Sequence, residues 1–162
     1  MPPSPTPFWL DTNVYVEAAN RYYTFERVPK FWSFLSGKIE SGSICSPKSV
    51  YDELMPYKDR LSSWVKARKT KGLCVHEGDN IQREFSKVAD HVTVTYPRHK
   101  SEEFLSGADP WIIACVLSVG GTVVTQESTS RRRKVRIPIV CGHFGVRFVD
   151  TFQMLEWFGA RL

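Results

Sequence analysis

The sequence predicts a three-layer α/β/α domain built on a mainly parallel five-stranded sheet, and three observations carry that expectation. Short apolar runs alternate along the chain with longer stretches of helical pattern, an order that favours parallel strands covered on both faces. The 162 residues, 42% hydrophobic and 24% charged, suit one unit with a real core. Proline and glycine mark where helices start and stop: Ser46 before Pro47, Asp109 before Pro110, and Gly120–Gly121 after WIIACVLSV.

Residues 1–7, MPPSPTP, contain four prolines and no core-forming pattern, so they read as a disordered or extended tail, and the domain is expected to span residues 8–162. The strand candidates are FWL (8–10), SIC (43–45), LCV (73–75), TVVT (122–125) and VRFV (146–149). Helices are expected over 12–20, 29–41, 47–55, 58–69, 79–92, 109–119, 138–144 and 151–158, with Ser46 and Asp109 as N-caps. There is no internal repeat and no interdomain linker.

Composition narrows the function. Cys45, Cys74, Cys115 and Cys141 lie far apart among apolar neighbours, which suggests neither a zinc knuckle nor a disulfide framework but reduced, buried thiols. No charged-then-apolar signal opens the chain, and the longest apolar run is broken by Ser118 and two glycines, so a soluble, cytoplasmic protein without a membrane span is expected. A net charge of +5 favours an anionic partner.

Function in open α/β sheets gathers at the carboxyl ends of the strands. There the sequence places acids. Asp11 ends the first strand and Glu127 follows the fourth; Glu53 in SVYDEL and Asp109 in SGADPWIIA sit on helices that can lean over the same edge. Singly, Asp11 and Asp109 fit helix caps, Glu53 an exposed helix face and Glu127 a loop. Jointly they suggest a site, because two carboxylates at about 5 Å in an effective dielectric of about 20 repel by roughly 3 kcal/mol, about two pKa units. A hard divalent cation, Mg²⁺ or Mn²⁺, removes that repulsion; the absence of a His or Cys cluster argues against zinc, and His76, His91, His99 and His143 lack ligand spacing. Such ions activate water and neutralise a phosphoryl group, so the pattern reads as a metal-dependent phosphodiesterase.

LDTN (10–13), the EL of YDEL (53–54), GADPWIIA (107–114) and VVTQE (123–127) resemble the successive motifs of PIN-domain nucleases. LDTNVYVEAANRYY and IPIVCGHFGVRFVDTFQML resemble a prokaryotic PIN-like subgroup, so the likeness runs from about residue 8 to the C-terminus. The resemblance implies strand order 3-2-1-4-5 and cleavage of RNA in an acidic pocket holding Mg²⁺ or Mn²⁺. It gives metal and catalytic positions to Asp11, Glu53, Asp109 and Glu127, the last where aspartate is more usual, and site-orienting positions to Asn13 and Thr125. Many such proteins are toxins of VapBC-type pairs, which implies a VapC-like toxin with a cognate antitoxin and a homodimeric state.

Arg131, Arg132, Arg133, Lys134 and Arg136 crowd the segment after Glu127, where they could hold substrate phosphates or form a solvated loop. Tyr22, Tyr23, Phe25, Phe31, Trp32 and Phe34 could stack on unpaired bases, but packing is the simpler expectation for so many large rings, as it is for Trp111. Two rival functions remain at this level. One is a nucleic-acid-binding or regulatory PIN-like protein with a vestigial site. The other is a phosphatase with a nucleophilic aspartate after the first strand, against which Asn13 stands where haloacid-dehalogenase-type enzymes place a second aspartate.

Overall fold

The computed structural model describes residues 6–127 and 135–162. In chain order these form β1 (Phe8–Leu10), α1 (Thr12–Glu17) running into a π-helical turn (Ala18–Tyr22), α2 (Pro29–Glu40), β2 (Ile44–Cys45), α3 (Lys48–Leu54), α4 (Arg60–Lys66), α5 (Asp79–Thr95), α6 (Arg98–Leu105), α7 (Asp109–Val119), β3 (Thr122–Val124), α8 (Ile137–Phe144), β4 (Phe148–Val149) and α9 (Thr151–Phe158). The strands make one parallel sheet of order β2-β1-β3-β4.

All three residues of β1 are buried, as an apolar run without alternation requires of a central parallel strand. The core helix is α7: Ile112, Ile113, Ala114 and Cys115 are fully buried, and its long partner α5 contributes Ile81, Val88 and Val92. Phe85 of α5 stacks on Trp111 of α7 at 4.0 Å between ring centroids. The second-segment aromatics pack mainly among themselves, Tyr23 on Phe31 at 4.4 Å and Phe25 on Trp32 at 4.0 Å, while Tyr22 is exposed. All four cysteines are free and buried, and burial raises their thiol pKa values.

The expected fifth strand, residues 73–75, is reduced to one parallel bridge between Val75 and Pro47, outside β2, where the order 3-2-1-4-5 puts its third strand. Ser46 and Lys48 make the hydrogen bonds of this bridge with Val75, but Gly72, in the left-handed region at φ +117°, turns the chain just before it, so that the Ser46 N–H meets the Gly72 carbonyl and the ladder goes no further. The helix expected over 12–20 widens from α to π at Ala18. The one expected over 58–69 is shorter, because Lys58 adopts φ +47° and Asp59 caps α4, its carboxylate accepting from the Ser62 N–H at 2.8 Å. Helix α6 was not expected; only Ser101 and Phe104 of its eight residues are buried. The N-caps also differ: Pro47 and Ala108 take those places, leaving Ser46 buried between strands and Asp109 inside its helix.

Gly120 and Gly121 do end α7, and the second cannot carry a side chain: at φ +123°, a Cβ there would lie 2.2 Å from the Pro7 carbonyl oxygen. That carbonyl accepts from the Thr122 N–H at 3.0 Å, so Pro7, assigned to the tail from sequence, already joins the sheet. Residues 1–5 of the expected tail lie outside the described residues. Among the described residues no helix is long and apolar enough to cross a membrane.

Candidate metal centre

The site forms where the two central strands end. The register pairing Leu10 with Val124 sets Asp11 beside Thr125, and the Asp11 N–H donates to the Val124 carbonyl at 3.0 Å. Asp11 occupies the N-cap position of α1 but makes no capping hydrogen bond with its side chain. Instead its Oδ2 accepts from the Thr125 hydroxyl at 3.2 Å, and the same hydroxyl oxygen accepts from the Glu127 N–H at 3.1 Å. Glu127 reaches on to α8, its Oε2 accepting from the Ile137 N–H at 2.9 Å.

Asp109 is the first residue of α7, one position inside the helix with Pro110 next to it. Its carboxylate meets those of Asp11 and Glu127, one oxygen from each lying within 4.8 Å of the others. Glu53, on α3, stands at the wall of the same pocket outside that group of three. Its Oε2 accepts from the Thr12 hydroxyl at 2.6 Å and its Oε1 from the Ala108 N–H at 2.8 Å. The pocket, about 360 Å³, is lined by all four acids, and Asn13 stands exposed at its rim.

Tyr57 and Glu103 also line the pocket and were not anticipated. Glu103 lies on α6, six residues before Asp109, and Tyr57 on the 3₁₀ turn after α3; the only sequence signal for either was proximity to an acidic motif. Of the basic cluster, Arg131, Arg132, Arg133 and Lys134 lie outside the described residues. Arg136 is the N-cap residue of α8, next to Ile137, whose N–H Glu127 holds; its Nε is buried without a hydrogen-bond partner among the described residues.

Asp11 is the electrostatic centre. Burial pushes its carboxyl up to about 7, the nearby Glu127 adds to the rise, the Thr125 hydroxyl and the Thr12 backbone oppose it, and Glu53 contributes a smaller upward push. Among the described residues no Lys or Arg forms an ion pair with it. A buried acid facing two further carboxylates, with oxygen as the only donor type, fits a hard divalent cation.

A family model described as a domain of unknown function, DUF4411, matches residues 8–162. The chain belongs to the DUF4411 family. No curated protein matches this DUF4411 sequence significantly. Among solved structures, the DUF4411 chain is similar to one described as VapBC2 from Rickettsia felis bound to a DNA fragment from their promoter, with a TM-score of 0.55 and 12% identity over 90% of this chain and 98% of that one. The DUF4411 fold is therefore PIN-like: a parallel sheet flanked by helices, with one strand fewer than expected.

Proposed function

We propose that this protein is a Mg²⁺- or Mn²⁺-dependent endoribonuclease and that it acts as the VapC-like toxin of a toxin–antitoxin pair. The observation that carries the nuclease reading is the meeting of Asp11, Asp109 and Glu127 at the carboxyl ends of β1 and β3. These three would hold the cation, which when bound supplies a water of lowered pKa and neutralises charge on the scissile phosphoryl group. Thr125 fixes the Asp11 carboxylate and the Glu127 backbone through one hydroxyl, so two donors are oriented before substrate arrives. The N–H at the head of α8 anchors Glu127 by one oxygen. Asn13 would orient the site from its rim, and Arg136, together with Arg131, Arg132, Arg133 and Lys134, would hold the RNA backbone.

The toxin role and a cognate antitoxin partner are supported by the likeness to the VapBC2 structure, and a homodimer is proposed on the sequence resemblance alone. Incubation of the purified protein with single-stranded and structured RNAs tests the enzyme reading. Cleavage should need Mn²⁺ or Mg²⁺, stop with EDTA and be absent from Asp11→Asn; cleavage by Asp11→Asn at the wild-type rate, or none by either protein on any RNA, overturns it.

A further inference from the structure

We infer that Glu53 is a positioning residue that spaces Asp11 and Asp109, rather than a ligand of the cation. The inference rests on the cation site proposed above and departs from what the sequence motif alone suggests. Both oxygens of Glu53 are engaged, and each engages the chain neighbour of a different proposed ligand. Thr12, whose hydroxyl donates to Oε2 at 2.6 Å, directly follows Asp11; Ala108, whose N–H donates to Oε1 at 2.8 Å, directly precedes Asp109. Three segments that are remote in sequence are thus tied through one side chain: the β1–α1 junction, α3, and the turn between α6 and α7.

The turn is shaped for this contact. A Cβ on Gly107 would stand 3.4 Å from Oε1, an ordinary contact distance, so the turn passes directly against the carboxylate. The Ala108 N–H lies at the N-terminal end of α7, where backbone donors have no partner within the helix, and Glu53 supplies one from outside. The oxygens that gather for an ion are those of Asp11, Asp109 and Glu127, with Glu53 outside the group. Three like charges brought together repel, and a latch that fixes two of their backbones sets their spacing before any ion binds.

Glutamine separates this role from ligation. In Glu53→Gln the amide oxygen still accepts from the Ala108 N–H and the amide NH₂ donates to the Thr12 oxygen, so the latch persists while the anionic ligand is gone. Mn²⁺ affinity by calorimetry should stay within about threefold of wild type in Glu53→Gln and fall about 10- to 100-fold in Glu53→Ala, the range expected for loss of a residue that orients ligands. Thr12→Val should weaken binding and Thr12→Ser should not. A Glu53→Gln protein as impaired as Glu53→Ala, with Thr12→Val unaffected, makes Glu53 a ligand and overturns the inference.

A second readout needs no metal. In EDTA, the Ala108 amide should exchange slowly in wild type and Glu53→Gln and quickly in Glu53→Ala. Equal exchange in all three overturns the latch. If wild type binds no Mn²⁺, the cation reading fails, and this exchange experiment still decides the role of Glu53.

Discussion

Replacing Asp11 by Asn should stabilise the metal-free protein at alkaline pH, although it removes a proposed ligand. Asp11 in the fold holds its proton up to about pH 7, against an ordinary value of 3.8. A carboxyl raised in this way stabilises fully below the unfolded value, and that contribution is lost as pH rises through the folded value. The shift is about three units at 1.36 kcal/mol each, so about 4 kcal/mol of stability is given up by pH 8. Asn carries no charge to desolvate, but its NH₂ must find an acceptor among the surrounding carboxylates. Allowing about half the gain for that adjustment leaves Asp11→Asn about 2 kcal/mol more stable at pH 8, or roughly 4–8 °C in Tm for a chain of this length. Between pH 8 and pH 5 the difference should shrink by about 3 kcal/mol and change sign. Mn²⁺ should reverse the ranking at pH 8, because binding the folded wild type at a hundredfold excess over Kd adds about 2.7 kcal/mol. Thermal melts of both proteins at pH 5, 6.5 and 8, with EDTA or Mn²⁺, measure all of this. An Asp11→Asn protein less stable than wild type in EDTA at pH 8, or a difference that does not vary with pH, refutes the argument.

Other substitutions test single contacts. Thr125→Val keeps the shape and removes the hydroxyl shared by Asp11 and the Glu127 N–H; urea unfolding in EDTA should show a loss of about 1–3 kcal/mol, and calorimetry a weaker Mn²⁺ site. Asp150→Ala breaks the reciprocal cap of α9, in which Asp150 accepts from the Gln153 N–H and Gln153 from the Asp150 N–H; it should cost about 1 kcal/mol and leave Mn²⁺ affinity unchanged. Gly121→Ala sets a methyl group against the Pro7 carbonyl at a left-handed φ, so a loss above about 4 kcal/mol, or failure to recover folded protein, is expected. A Gly121→Ala protein melting within a few degrees of wild type contradicts that packing.

The parts of the fold legible in the sequence are those fixed by local pattern. FWL reads as a buried strand because three apolar residues run without alternation, and its end at Asp11 is visible in the same stretch. The loss of the fifth strand was not legible because LCV has a strand-like pattern of its own, and the left-handed turn at Gly72 that shifts its pairing with Ser46 shows only once the chain has folded. Helix α6 was missed because RHKSEEFL offers few apolar residues to show a period. At the site, residue types could be read but not their connections: the contacts from Glu53 to Thr12 and Ala108 cross 41 and 55 residues. Asp109 was expected both as a cap and as a site acid; the cap position falls to Ala108, while the Asp109 carboxylate lies with those of Asp11 and Glu127.

The four acids are supported by parts of the chain with different resistance to opening. Asp11 continues directly from β1, and Thr125, the residue that orients it, continues from β3, so their arrangement is lost only when the central sheet unfolds. The turn before Asp109 instead hangs between α6, half of whose residues are exposed, and a single carboxylate on α3. Segments with few buried contacts open at lower free energy than the core they adjoin. Warming should therefore dismantle the acidic cluster from the α6–α7 side first, so that loss of the proposed metal site is reversible over a range of temperature in which the sheet is still intact.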